Sequence, residues 1–470
     1  MAIDLDFCVV DVSKNKFLLH GEIAPPGGQG VVCRTQYPNT VVKLELDDGK
    51  LIPANDEARK KFRAVMTLPI PPNTNVTLPM NILEKFSGYT MRMMDDMTSF
   101  EDAFGGAVDE EPLDSPWLES FEEDNPELAM IFFKLIKRGG LRRFFRAYLY
   151  AAQILAKIHG AGLVYCDFSH RNIFISKDLD FCHVWLIDAD NLDYQRNTKQ
   201  KCIYTPRIGA PELHRGEGGC TFYSDAFAFA STFFQQLTNH HPFDGAAFDE
   251  KLDELELEEA EFYRDCGGFP WVFDSEDDSN FWEDGGLFTE FLPPAIMDLL
   301  DKTFGVEEGL FSITRRPSLA EWSFALAETF DGIIRCPHCK MDRHGGAEKC
   351  SWCDAEHAVV TMSATFVTGG KLWSYSHEIS KDATIEIPLR LVHGYRSAEI
   401  DEPAFKFTWT SKSFELVRVS EKFSAEFEDA NNPRMRAAAF ETSAESFFVY
   451  CTDKDNFVSR IEVRIFNAIK

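Results

Sequence analysis

Three oxygen-bearing side chains, Asp167, Asn172 and Asp188, fall within one short stretch, Leu163–Asp190. Two short apolar runs, 173–176 and 183–187, read as the strands of a hairpin. Hairpin pairing brings all three residues to one end of that sheet. One carboxylate is then free to accept a proton, while an amide oxygen and a second carboxylate can share a hard cation. Magnesium prefers such oxygen ligands and completes its octahedron with phosphates and water. The chemistry this set suits is phosphoryl transfer. The bland alternative is an ordinary hairpin with turn-favouring Asp and Asn at its strand ends.

A second constellation lies far downstream. Cys336-Pro-His-Cys339 and Cys350-Ser-Trp-Cys353 are two C-x-x-C knuckles joined by the linker Lys340–Lys349. Four thiolates in two such pairs fit a tetrahedral structural zinc site with no open position for catalysis. His338 and His344 read as bystanders.

The elements that must position these groups follow from the chain in order. Residues 1–24 alternate apolar and polar side chains and read as one or two strands. Pro25-Pro26-Gly27-Gly28-Gln29-Gly30-Val31-Val32 follows, a loop whose glycines could lie close to phosphates and present backbone N–H groups. Thr40-Val41-Val42-Lys43-Leu44 is a strand with a lysine at its centre. Residues 53–67 read as a helix capped by Asn55 or Asp56. A Pro-rich loop, 69–79, precedes a Met-rich strand over Gly88–Met94. Residues 141–159 carry apolar side chains at helical spacing and end in His159, read as structural. Two acidic blocks, 95–127 and 246–291, interrupt the chain. The first contains no Lys or Arg and is followed by Lys134, Lys137, Arg138, Arg142, Arg143 and Arg146, which could form an ion-pair lattice with it. The second is rich in Phe and Trp and reads either as a docking surface for a basic partner or as a solvated insertion with its own apolar cluster. Residues 358–470 alternate like strands and have no catalytic constellation. About seven strands over about 110 residues suggest a β-sandwich or barrel that serves as an interaction module.

Composition narrows the classes. The chain has 470 residues and a formal charge of −28. Such a balance opposes a nucleic-acid-binding surface, which needs a basic stripe, and electrostatic attachment to anionic membranes. No long apolar run reads as a membrane span, and the N-terminus lacks a basic region followed by an apolar core. Most of the twelve cysteines are scattered singly, which fits reduced thiols in a cytoplasmic protein.

These motifs, in this order, resemble the protein kinase superfamily. Asp167 and Asn172 keep the spacing of the catalytic-loop pattern H-R-D-x-x-x-x-N, and Asp188 follows where the metal-binding Asp of D-F-G stands. Tyr165 and Cys166 replace the His and Arg, and Ala189 and Asp190 replace the Phe and Gly. Gly27 and Gly30 match two glycines of the Gly-rich loop, with Pro25 in place of the first, and Val32 matches the valine that packs on adenine. Lys43 matches the lysine of V-A-I-K, and Glu57 is the candidate helix glutamate that pairs with it. Gly88–Met94 is similar to the hinge, with Met91 as gatekeeper. Ile208-Gly209-Ala210-Pro211-Glu212, Ser224-Asp225-Ala226-Phe227-Ala228-Phe229-Ala230, Asn239-His240-His241-Pro242-Phe243 and Arg316-Pro317-Ser318 resemble the later family motifs. An Arg316–Glu212 ion pair is expected there.

The resemblance covers about residues 5–330 and implies an α+β chain. It would comprise a two-lobed protein-kinase-like domain (1–94 and 95–330), a zinc ribbon (331–357) and an all-β C-terminal domain (358–470). It implies an ATP-dependent and Mg2+- or Mn2+-dependent serine/threonine kinase acting on a partner protein. In that reading Asp167 orients and deprotonates the acceptor, and Asn172 and Asp188 hold the cation. Lys43 anchors phosphates, Arg171 replaces the usual lysine near the γ-phosphate, and Gly27, Gly28, Gly30, Val32, Met91 and Met93 contact the nucleotide. The loss of the Arg at Cys166 and the short loop from Asn191 to Gly209 predict activity independent of phosphorylation there. Within the superfamily the chain resembles divergent bacterial kinases that accompany a von Willebrand A-type protein and a PP2C-type phosphatase. Two rivals stand beside it: a nucleotide-binding pseudokinase scaffold and a small-molecule kinase of the aminoglycoside-phosphotransferase type, whose I-D-x-x-D loop is similar to Ile187–Asp190.

Overall fold

The computed structural model describes residues 7–23, 30–105, 126–179, 182–198, 201–286, 288, 292–345, 349–350, 352–355, 359–367, 371–379, 382–393, 402–410, 412–436 and 440–466. The chain forms two compact units. One joins Met1–Val108 with Tyr150–Ser323, the other Asp109–Leu149 with Phe324–Lys470.

The first unit is built on an antiparallel sheet. Its strands are β1 (Cys8–Val10), β2 (Lys16–Glu22), β3 (Gly30–Thr35), β4 (Thr40–Asp47), β5 (Lys50–Leu51), β6 (Asn81–Ile82) and β7 (Gly88–Arg92). Their order is β1-β2-β3-β4-β7-β6, with β5 paired to β4. β4 is flanked on both sides, by β3 and β7, and Val41 to Leu44 are all buried. That explains its apolar run and makes Lys43 an exception that demands a partner, because a buried ammonium without one is costly. A Cβ at Gly30 would lie 2.4 Å from the Leu44 carbonyl oxygen, so the glycine permits β3 to lie close to β4. Helix α1 (Asp56–Met66) starts at Asn55, whose side chain accepts from the Ala58 N–H at 2.8 Å. It buries Phe62 and Val65 and sets Phe62 edge-on to Tyr89 of β7, with ring centroids 4.9 Å apart.

Below it in the sequence, β8 (Met97–Ser99), β10 (Ile173–Ser176) and β11 (Val184–Leu186) make a three-stranded sheet, ordered β11-β10-β8. The expected hairpin is present as β10 against β11, with Ile173 opposite Leu186. β9 (Leu163–Val164) pairs with β12 (Asp193–Tyr194). Helix α2 (Gly140–Gly160) leads into this region. Helix α3 (Phe222–Thr238) opens with a Thr221–Ser224 capping box and is buried along most of its length. The rings of Phe229 and Phe233 lie on Trp322. The second acidic block is folded: Phe248, Ala260 and Phe269 form a small apolar cluster that includes helix α4 (Leu257–Asp265).

In the second unit, β13 (Ile333–Arg335) and β14 (Asp342–His344) form a hairpin. Nine further strands make two antiparallel sheets: β15 (Val359–Phe366), β16 (Lys371–Glu378), β17 (Thr384–Pro388), β18 (Pro403–Trp409), β19 (Phe414–Val419), β20 (Phe423–Asp429), β21 (Glu441–Thr442), β22 (Ser446–Asp453) and β23 (Val458–Phe466). The orders are β16-β15-β23-β22-β20 and β17-β18-β19-β21. Phe405 and Phe407 of one sheet meet Phe423, Phe427 and Phe447 of the other, which joins the sheets into a sandwich. Buried Asp331 accepts from Trp373 at 2.6 Å and from Arg390 at 2.5 and 2.7 Å. The linear domain boundaries expected from sequence differ from this division. The N-terminal half of α2 belongs with the later chain because the Arg142 backbone N–H donates to Asp342 at 3.0 Å and its guanidinium to the Ile333 carbonyl at 2.8 Å.

Of the first acidic block, residues 106–125 lie outside the described residues, and with them the expected ion-pair lattice. Among the described residues no helix is long and apolar enough to cross a membrane.

Candidate active site

The open end of the β10–β11 hairpin carries Asp167, Asn172 and Asp188 together, as the register requires. The Ile187 N–H donates to the Asn172 carbonyl at 2.9 Å, which extends the ladder up to Asn172 and the residue before Asp188. The Asn172 side-chain N–H2 donates to the Asp167 carbonyl at 2.9 Å and to its carboxylate at 3.3 Å. The amide is thus turned with its oxygen away from Asp167, available to a cation. Thr205 donates to the other Asp167 oxygen at 3.0 Å. Burial raises the Asp167 pKa, with Thr205 and Asn172 opposing the shift. A base poised above the ordinary carboxylate range is better matched to taking a hydroxyl proton.

The loop that carries Asp167 is held from below. Asp225, at the start of α3, accepts from the backbone N–H groups of Tyr165 (2.7 Å) and Cys166 (3.0 Å), and His159 meets it at 3.0 Å. The Tyr165 hydroxyl donates to the Ile187 carbonyl and so ties this loop to the residue before Asp188. Cys166 and Asp188 both adopt positive φ, 77° and 59°. Such backbone persists where surrounding contacts over-determine it, and it collects at functional sites.

Lys43 reaches across from β4. Its ammonium contacts Asp188 directly and lies 3.2 Å from Asp190. Burial alone would lower its pKa, but Tyr89, Asp188 and Asp190 outweigh that and hold it above the ordinary lysine value. Asp188 is pushed up to about 6, mainly by burial, with Lys43 opposing. Burial acts the same way on Asp190, but Lys43 and Lys61 outweigh it and leave its pKa below the usual value. Val32 and Met93 pack on a cluster formed by Val41, Phe62, Ile82, Tyr89 and Met91, so these three nucleotide candidates share one apolar region. Gly27 and Gly28 lie outside the described residues. A cavity of about 730 Å³ shares Met93 with that region and is lined also by Thr40, Arg92, Asp178 and Trp185, but by none of Lys43, Asp167, Asn172 or Asp188.

One expectation is corrected. Glu57 does not pair with Lys43: it is exposed in the first turn of α1, and the partners of Lys43 are Asp188 and Asp190. One turn further along, Lys61 faces the site, 3.9 Å from Asp190. Residues one turn apart share a helix face, so position along α1, and not its rotation, brings Lys61 rather than Glu57 within reach of Asp190. Arg171 is two-thirds exposed and meets Glu101 through Nε at 3.1 Å and Nη2 at 3.0 Å. The sequence missed Asp190, Lys61 and Thr205 as site residues. The second carboxylate of Ile187-Asp-Ala-Asp190 was the one available signal.

The loop from Asn191 to Gly209 has structural hydroxyls. Thr198 is buried and donates to the Cys220 carbonyl, while Thr205 serves Asp167. Arg207, further along, meets Glu261 of α4 at 2.5 Å and Asp244 at 3.4 Å. The second acidic block therefore packs beside this segment.

In the other unit, the sulfurs of Cys336, Cys339, Cys350 and Cys353 all lie within 4.8 Å of one another. Cys336–Cys353 and Cys339–Cys350 are 3.8 and 3.7 Å apart. A tetrahedron with Zn–S bonds of about 2.3 Å has edges of about 3.8 Å, and a disulfide needs about 2.0 Å, so the cluster fits a structural zinc ion. Lys340 and Asp354, each just after a knuckle, share a positive φ, as a repeated thiolate turn requires.

No family model matches the chain. A curated relative, the serine/threonine-protein kinase AfsK of Streptomyces griseus, is 33% identical over 95 residues, which make up 20% of this chain and 12% of that protein. The likeness is to a short part of one protein kinase, and the chain spans about an eighth of that protein's length.

Proposed function

We propose that the chain is an ATP-dependent serine/threonine protein kinase with a two-lobed kinase fold over about residues 5–330. The observation that carries this reading is the meeting of Lys43 with Asp188 beside an Asp167 already hydrogen-bonded to Asn172 and Thr205. In this reading Asp167 takes the acceptor proton. Lys43 neutralises nucleotide phosphates, and the Val32–Met91–Met93 region receives the adenine. Asn172 and Asp188 would hold Mg2+, which when bound neutralises the phosphate oxygens. Cys336, Cys339, Cys350 and Cys353 would hold a structural Zn2+.

A protein acceptor is favoured over a small molecule by Thr205. It links Asp167 to the segment that runs into Ala210-Pro211-Glu212, a platform on which a peptide can lie. By resemblance, the candidate acceptors are a von Willebrand A-type protein and a PP2C-type phosphatase. The deciding experiment incubates the full chain with labelled ATP, magnesium and these candidates, beside Asp167→Ala and Asp188→Ala. Label on protein that falls by roughly 10²- to 10⁴-fold in both variants supports the reading. Nucleotide binding with no transfer to any protein rejects it in favour of a scaffold or another acceptor.

A further inference from the structure

Lys43 and Lys61 come from different elements, β4 and α1, and converge on the same oxygen of Asp190. Oδ2 lies 3.2 Å from the Lys43 ammonium and 3.9 Å from that of Lys61. Asp190 is 2% exposed, and no donor reaches its other oxygen, Oδ1. A buried carboxylate with one open oxygen is costly unless cations compensate it. Lys61 is itself 4.0 Å from Glu45, two residues beyond Lys43 on β4. The helix that was expected to bring a glutamate to Lys43 thus brings a cation, and the carboxylate comes from the loop that already carries Asp188.

We propose that Asp190 is the positioning residue for Lys43, with Lys61 as its counter-charge, so that the lysine–carboxylate pair of this site is transposed from helix α1 to the metal loop. The inference rests on the kinase reading above. Its physical content is that Lys43 can exchange Asp188 for a nucleotide phosphate and still be aimed by Asp190. Placement of Lys43 and ordering of the Asp188 loop are then one event. They do not wait on a swing of α1.

The transposition can be reversed by mutation in the full chain. Asp190→Asn is expected to raise the KM for MgATP by about tenfold or more, the scale of a lost hydrogen bond to a charged group, with a smaller effect on kcat. Lys61→Glu alone sets a third carboxylate beside Asp188 and Asp190 and is expected to weaken MgATP binding by about tenfold. The double variant Asp190→Asn/Lys61→Glu, which presents a helix glutamate to Lys43, is expected to return within about threefold of wild type. A purely structural role for Asp190 would lower the melting temperature, and a carboxylate on the helix would not restore the KM. The proposal is overturned if Asp190→Asn leaves the KM unchanged, or if the double variant is no better than either single. Should Asp190→Asn fail to fold, a Lys61→Glu chain that binds MgATP like wild type overturns it instead. Wild-type protein that binds no MgATP overturns the kinase reading, and this inference with it. Wild-type binding with indifferent variants overturns this inference alone.

Discussion

The guanidinium of Arg316 and the carboxylate of Glu212 form two hydrogen bonds, at 2.8 and 2.9 Å, in a buried site. The pair is 104 residues apart in sequence, yet the resemblance of the two motifs to those of protein kinases anticipated it. Arg316 also donates to the Gly309 carbonyl at 2.7 Å and covers the Phe227 ring. Removal of one partner leaves a buried charge with no compensation, so Arg316→Ala or Glu212→Ala should cost about 3–5 kcal/mol. Urea denaturation measures this. A loss under about 1 kcal/mol in both variants would show that the site relaxes to admit water.

Thr205 should matter to turnover more than to binding. Its hydroxyl orients Asp167 without touching Lys43. Thr205→Val is expected to lower kcat by roughly 10- to 100-fold, with Thr205→Ser close to wild type. The expectation fails if Val and Ser variants turn over alike. The same contact means that an alanine at Thr205 tests catalytic geometry, and cannot serve as a test of loop phosphorylation.

Metal removal should act on one unit only. Chelation, or Cys350→Ser, is expected to release one zinc per chain and to expose the β13–β14 hairpin to protease, because the metal supplies folding energy that the short knuckles lack. MgATP binding should persist. Metal analysis showing less than about half a zinc per chain, with the four thiols reduced, counts against the site.

His241 makes stability depend on pH. Its Nε2 meets the Arg207 carbonyl at 3.0 Å and its Nδ1 accepts from the Phe243 N–H at 3.3 Å, which leaves no place for a second proton. Burial first, then Arg264 and Arg207, press its pKa well below the ordinary value, although Asp244 and Asp265 also face it at 3.7 and 3.9 Å. Its contribution is therefore complete above about pH 6.5 and is lost as pH falls, because the unfolded chain takes up a proton that the native chain refuses. His214 and His240 are shifted the same way by burial. The urea midpoint should drop from pH 7.5 to 5.5, and His241→Gln should shrink the drop without abolishing it. An unchanged pH dependence in that variant removes His241 as a cause.

What the sequence determined by itself is local. The spacing of Asp167, Asn172 and Asp188 flanks one hairpin, and hairpin register follows from alternation over a few residues. The Asn55 cap, the buried strand around Lys43 and the paired cysteine knuckles are legible for the same reason. Asp225 was visible as part of a motif, but not as the acceptor that holds the Tyr165 and Cys166 amides. Only the tertiary structure decided which carboxylate meets Lys43. Glu57 and Lys61 are one helical turn apart, and the sequence offers both. Both lie on one face of α1, and the placement of the helix leaves Lys61, itself 39% exposed, 3.9 Å from Asp190, while Glu57 stays exposed in the first turn. Asp190 then becomes the partner of Lys43 across 147 residues, because a buried ammonium must find a carboxylate and the helix does not supply one.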